Sequence, residues 1–259
     1  MKATTPRMGL RWLTLFVVLL NVVLSSITDR LGLGGESIAT VTRQYDSLFV
    51  PAGYAFSIWG VIYLSFIVYA VVQLLPAQRY KSVYDHLDIP VMWVNILGFI
   101  WQLVFRFNQV TTSLLIILVM LIAGIVLFIR AQKAVTLHQY SQWLLVPASI
   151  FLGWICVATI ANASVWLIAI GWDGASISAG SWTMLLLGIA FLLAVYISLR
   201  FKNYLYPAVI AWATFAIWVA LQNKTLEVAQ VALYTAIAAV VLTVIAIVRN
   251  IRLKQPVSQ

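Results

Sequence analysis

Eight predominantly apolar runs alternate with short polar breaks along the chain, at about 12–28, 52–75, 89–108, 111–130, 143–169, 182–199, 203–221 and 228–248. A helix rises 1.5 Å per residue and the hydrocarbon core of a bilayer is about 30 Å thick, so roughly 20 such residues make one crossing. The breaks carry turn and charge signals. Residues 29–44 include Gly32, Gly34 and Gly35, residues 76–88 hold Arg79, Lys81, Asp85, His86 and Asp88, and residues 108–112 make a tight polar turn. Strands of a membrane barrel are shorter and alternate in polarity, so the pattern predicts an all-α, polytopic transmembrane bundle of about eight helices.

Composition agrees, with 63% apolar and 9% charged residues against about 25% charged in a soluble domain. The cations set an orientation. With the N-terminus in the cytoplasm, only Arg30, Arg43, Arg106 and Lys224 fall on the far side, and the other twelve, from Lys2 and Arg11 to Lys254, fall on the cytoplasmic side. That bias requires an even number of crossings, so both termini are expected in the cytoplasm. It also accounts for the net charge of +9 through short juxtamembrane loops, and nucleic acid is not an expected partner. The first run has a basic start like a secretory signal, but it is long and lacks a small-x-small pattern before Asp29, so it reads as a retained helix. Cys156 is the single cysteine, inside the fifth run, and reads as a packing residue.

No catalytic residue and no metal site is read from the sequence. His86 and His138 are placed in cytoplasmic loops, and Asp85 and Asp88 beside His86 belong to a solvated loop rather than a cation site. No acidic residue falls near the centre of a run, which weighs against ion-coupled transport. The aromatic content is the unusual feature, with eleven Trp, eleven Tyr and twelve Phe. Trp12, Trp143, Trp166, Trp172 and Trp182 sit near run ends and fit an interfacial belt, while Trp59, Trp101, Trp154, Trp212 and Trp218 lie deeper. A deep indole must place its N–H, which directs it toward a neighbouring helix or a cavity.

Three runs carry candidate ligand-binding residues. In the fifth, Trp154, Ala158, Ala161 and Val165 form one stripe with Asn162 beside it, a pattern that suits either a packing seam or a pocket wall. The second opens on Pro51, Gly53 and Tyr54 and continues with Phe56, Trp59 and Tyr63 at helical spacing, an aromatic wall. The third places Asn95, Gly98, Gln102 and Arg106 on one face with Trp101 and Phe105 beside it, and Arg106 is expected to snorkel to the outer interface.

These segments resemble the tryptophan-rich sensory protein family, which includes the translocator protein or peripheral benzodiazepine receptor. The pattern Trp154-x-x-x-Ala158-Thr159-x-x-Asn162-x-Ser164-Val165-Trp166 is similar to the family's last helix, Pro51 to Tyr63 to its entry into helix two, and Trp101-x-x-x-Phe105 to its third helix. Pro51-Ala52 stands where the family has paired prolines. The resemblance covers about residues 8–170, so 1–170 is expected to be a five-helix region of that type and 171–259 to add three transmembrane helices.

The resemblance implies a longer, divergent bacterial branch in the inner (plasma) membrane. It also implies a receptor or sensor that holds a porphyrin, haem or sterol-like molecule in an aromatic pocket between helices. Pro51, Tyr54, Phe56, Trp59, Tyr63, Asn95, Trp101, Trp154, Ala158 and Asn162 would form that pocket, and Arg43 and Tyr45 of the first loop would orient propionates. The porphyrin or haem would be a ligand, and no cofactor is required. Expected partners are the lipid bilayer and a hydrophobic small molecule, with a homodimer as a possible assembly. Two other functions stay open: a permease for a small hydrophobic solute, and an enzyme that degrades a bound porphyrin.

Overall fold

The computed structural model describes residues 7–32, 35–138 and 140–252. Gly34, Lys2 and Lys254 lie outside them. Among the described residues there is no strand. The helices are α1 (Met8–Leu31), the short α2 (Ile38–Arg43), α3 (Ile58–Val72), α4 (Val83–Arg106) and α5 (Val110–His138). They continue with α6 (Leu145–Ala169), α7 (Ala179–Phe201), α8 (Leu205–Leu221) and α9 (Leu226–Arg252). Single 3-10 turns at Gly53–Ser57 and Gln142–Leu144 lead into α3 and α6. Seven helical spans are long and apolar enough to cross a membrane, and α8 is a shorter apolar helix. The protein is a multi-pass helical membrane protein, with one apolar helix for each of the eight runs.

The chain divides into two compact units, one of Met1–Val41 and Ser57–Ile155, the other of Thr42–Phe56 and Cys156–Gln259. In the first, α1 packs on α3 and α4, and α4 packs on α5. Helix α1 is inverted relative to a helix of a soluble protein. Its buried positions are Arg11, Thr14, Val18, Asn21, Ser25 and Thr28, spaced alternately by three and four, while Trp12, Phe16, Val23 and Ile27 are exposed. Water would penalise that apolar face, whereas acyl chains solvate it and drive polar groups to find partners inside. Thr14 and Thr28 donate to carbonyls of their own helix, Leu10 O at 2.9 Å and Leu24 O at 2.7 Å.

Arg11 is the firmest of these internal contacts. It belongs to the juxtamembrane cations by sequence, yet its side chain is 0% exposed. Its guanidinium donates to the carbonyls of Gln73 and Gln78 at 3.3 Å, to that of Arg79, to that of Lys81 at 2.8 Å and to Asp85 Oδ1 at 3.4 Å. The Tyr84 ring lies 5.3 Å away. These carbonyls belong to the end of α3 and the turn after it, where helix geometry leaves acceptors unpaired and partial negative charge accumulates. One rigid cation therefore satisfies a whole interhelical turn.

Helix α4 begins at Val83, six residues before the apolar run. This corrects the reading of residues 76–88 as a solvated loop, because Asp85, His86 and Asp88 lie in the first two turns of α4. Asp88 is fully buried and accepts from Tyr69 Oη at 3.0 Å. With its amide nitrogen turned toward the carboxylate, Gln73 also donates to Asp88, at 2.7 Å. Hydropathy alone does not separate a polar loop from a helical turn whose polar side chains point inward. Pro90, inside α4, has no N–H to give to the carbonyl of His86, and Arg130 Nη1 donates to that carbonyl instead, at 2.9 Å.

The other end of α1 and α4 is closed in the same way. Arg106 is buried, not snorkelled as the sequence suggests; it donates to Asp29 and to Thr28 O, and Gln102 donates to Asp29 at 3.3 Å. An anionic partner one helix away outcompetes the outer interface. Gly35, at φ +88, lies against this end, and a Cβ there would meet Arg106 O at 2.6 Å.

In the second unit α7, α8 and α9 pack together. Ala229, Ala232, Ala236 and Ala239 of α9 and Ala213 and Ala216 of α8 are buried, and small side chains let membrane helices approach closely. Asn203 caps α8, its Oδ1 accepting from the N–H groups of Leu205 and Tyr206 at 3.0 and 2.9 Å.

Removing the Arg11 guanidinium takes the donor from the buried Gln73 carbonyl and from the turn after α3 and leaves Asp85 without its ion pair, so Arg11→Leu is expected to lower stability by about 3–5 kcal/mol. Thermal unfolding in detergent checks this. The exposed Arg30→Leu serves as the control, expected within about 0.5 kcal/mol of wild type.

Candidate functional site

The residues singled out by sequence fall into both units. Trp59, Tyr63, Asn95, Trp101 and Trp154 belong to the first, and Pro51, Tyr54, Phe56, Ala158 and Asn162 to the second.

In the first unit an aromatic column joins α3 to α4. Trp59 lies 5.7 Å from Tyr63 and 6.3 Å from Trp101, with interplanar angles of 30° and 31°. Trp101 stacks on Phe105 at 5.3 Å and 25°. Such spacing is within the range of offset aromatic pairs. Trp59 is half-buried, and its Nε1 is enclosed without a hydrogen-bond acceptor among the described residues. Trp154 is buried in the same unit.

A polar chain ties this column to α1. Tyr63 Oη donates to Ser25 Oγ at 3.3 Å, Ser25 Oγ donates to Asn21 Oδ1 at 3.2 Å, and Asn21 Nδ2 donates to Asn95 Oδ1 at 2.9 Å. Asn95 Nδ2 closes on its own helix at Val91 O, 2.9 Å away. Tyr63 and Asn95 are thus joined through Asn21 and Ser25, which are not among the residues singled out by sequence. Their signal was present, as the polar members of a three-four stripe in an otherwise apolar helix.

In the second unit the Pro51–Phe56 segment is docked on α8. Ala52 N donates to Ala216 O at 3.0 Å, and Trp212 Nε1 donates to Ala55 O at 3.1 Å. The Tyr54 and Trp212 rings meet edge to face at 5.4 Å. Helix α8 therefore supplies both the acceptor and the indole that hold the segment before α3. Pro51 and Asn162 are buried, Phe56 and Ala158 half-buried, and Arg43 is exposed beside a half-buried Tyr45.

The second unit also contains a cavity of about 440 Å³, between the latter half of α6, the start of α7, the loop joining them and residues 46–48. None of the ten residues singled out by sequence lines it, although its α6 wall (Thr159, Ile160, Ala163, Ser164) flanks Ala158 and Asn162. Trp172 and Trp182 form an aromatic pair there, 5.3 Å apart at 58°. A tight turn fixes this wall. Gly174, at φ +85, has a carbonyl that accepts from Trp182 Nε1 at 2.9 Å and from Ile177 N at 3.0 Å, and a Cβ on Gly174 would meet Ile177 O at 2.5 Å. Ala175 and Ser176 follow it in the left-handed region. By sequence both tryptophans fit an interfacial belt, and only the fold pairs them over a cavity.

Among the described residues no group of three or more His, Cys, Asp or Glu side chains is placed to hold a metal ion. A family model described as TSPO-like protein matches residues 11–248. The match runs through α7 and α8 and most of α9, well beyond residue 170. Curated proteins and solved structures give no match.

Proposed function

Because the chain belongs to the TSPO-like protein family, we propose that it is an integral membrane receptor of sensor type. Its ligand is a flat hydrophobic molecule of the porphyrin, haem or sterol-like class, held on the aromatic column of the first unit. The observation that carries this reading is the Phe105, Trp101, Trp59, Tyr63 column, with the enclosed Trp59 Nε1 lacking an acceptor. Tilted aromatic faces offer a planar ring its stacking partners, and an unmet indole donor offers a heteroatom its hydrogen bond. The chain from Tyr63 to Asn95 holds α1, α3 and α4 in register, which is what a preorganised site requires.

The test is a fluorescence-quenching titration of the detergent-solubilised protein with protoporphyrin IX and haem. Saturable quenching is expected, and Trp59→Phe, which keeps an aromatic face and removes the N–H, weakens it about 2- to 10-fold. Non-saturable quenching, or an unchanged affinity in folded Trp59→Phe, would count against the site.

We place the protein in the bacterial inner membrane with both termini in the cytoplasm, on the strength of the cation bias. Tags at the two ends are expected to be protected from protease together in right-side-out cells, and protection of only one end overturns the even topology.

One observation favours a permease as the second reading. Asp88, buried against Tyr69 and Gln73, is an ionisable group inside the helix bundle, the feature that marks coupled carriers. On that reading, solute flux into proteoliposomes is driven by a proton gradient and abolished in folded Asp88→Asn, whereas a receptor shows no flux in either.

A further inference from the structure

The cavity beside Trp172 and Trp182 has a chemistry unlike that of the aromatic column. Its walls are mostly aliphatic, with Leu167, Ile168 and Leu186 among them. The polar groups within are hydroxyls, and two of these are already committed: Ser164 donates to Ile160 O at 2.9 Å and Thr183 to Ala179 O at 2.8 Å. The Trp182 N–H is used by Gly174 O. Among the described residues no Lys, Arg or His lines the cavity, whereas Asp46 and Asp173 both do. An anionic ligand would thus find carboxylates and no cation among the lining side chains.

The two carboxylates are not equivalent. Asp46 pairs with Lys224 at 3.3 Å, and both are well exposed, so the pair is weak and its net charge near zero. Among the described residues Asp173 has no ion pair of this kind; one of its oxygens accepts from Ala175 N at 3.0 Å within the turn that also holds Gly174. It adjoins Trp172 in sequence, so a carboxylate and an indole flank the same stretch of rim. Indole faces attract cations, most strongly where water is partly excluded. The volume of about 440 Å³ lies within the range of pockets that enclose small organic ligands.

We propose that this cavity is a binding site for a hydrophobic monocation, such as a lipophilic amine or a quaternary ammonium or phosphonium ion. The apolar body lies against α6 and α7, and the charge rests at the rim between the Trp172–Trp182 pair and Asp173. Its lining shares no residue with the aromatic column, and the proposal does not depend on the function proposed for that column. The Gly174 turn is its positioning device, because one carbonyl sets the orientation of the Trp182 ring.

The discriminating probes are tetraphenylphosphonium and tetraphenylborate, which share shape and apolar surface and differ in the sign of their charge. Binding to the purified full chain in a non-ionic detergent is measured by equilibrium dialysis. Ala163→Phe, whose ring takes up part of the cavity and obstructs a ligand as bulky as a tetraphenyl ion, reports uptake by the micelle alone. The expected result is saturable phosphonium binding at one equivalent, with borate at least about tenfold weaker, since losing a rim attraction and gaining a repulsion each shift affinity. Asp173→Asn keeps the acceptor for Ala175 N, is expected to fold, and lowers phosphonium affinity roughly three- to tenfold while narrowing the gap between the ions. Equal binding of the two ions by wild type, phosphonium binding unchanged in Asp173→Asn, or binding that persists in folded Ala163→Phe overturns the proposal. So does a folded wild type with no saturable phosphonium binding.

Discussion

The first unit depends on a solvent that offers no hydrogen bonds. The buried stripe of α1 is made mostly of polar side chains, Arg11, Thr14, Asn21, Ser25 and Thr28, and the helix turns Trp12 and Phe16 outward instead. Arg11 shows how strongly this constraint acts. A guanidinium is costly to bury alone, but here it meets the carbonyls at the end of α3 and in the turn after it, the buried one of Gln73 among them. Two liabilities cancel at one point and fix both the start of α1 and the path of the α3–α4 turn.

The same logic repeats along α1. Asn21 and Ser25 in its middle reach Asn95 and Tyr63, and Thr28 and Asp29 at its far end receive Arg106. Polar contacts at three heights are directional in a way that packing of aliphatic side chains is not. A slide of α1 by one turn would break all three sets at once. Individually a membrane hydrogen bond contributes only about 0.6–2 kcal/mol, so the importance of the set lies in register more than in total energy. That register holds Tyr63, and with it Trp59 and Trp101, in a column.

How much of this could be read from sequence follows from what hydropathy measures. The eight apolar runs correspond to eight apolar helices because length and transfer energy decide that question. The boundary of α4 was missed because Asp85 and Asp88 are polar whether they face water or Tyr69, and periodicity across so short a stretch does not tell which. Arg106 has the position of a snorkelling residue by sequence, because its partner Asp29 is 77 positions away. The aromatic residues of α3 and α4 were legible, since their helical spacing places them on a common face. Asn21 and Ser25 were recoverable in principle from the alternating three-four stripe of α1.

The cavity was the least legible feature, and the reason is physical. Its walls come from α6 and α7 and from the first loop, more than a hundred residues earlier, and no residue in them is unusual alone. Trp172 and Trp182 have the positions of interfacial aromatics, Asp173 those of a turn residue, and Gly174 those of any loop glycine. What makes them a candidate site is a backbone geometry only glycine adopts easily, which aims one carbonyl at an indole N–H and leaves the ring to wall a space. The aromatic column is different in kind, built from side chains whose spacing within regular helices already encodes their meeting. Within one chain, then, a site made of helix faces can be read from periodicity. A site made by a turn becomes visible only when the turn itself is seen.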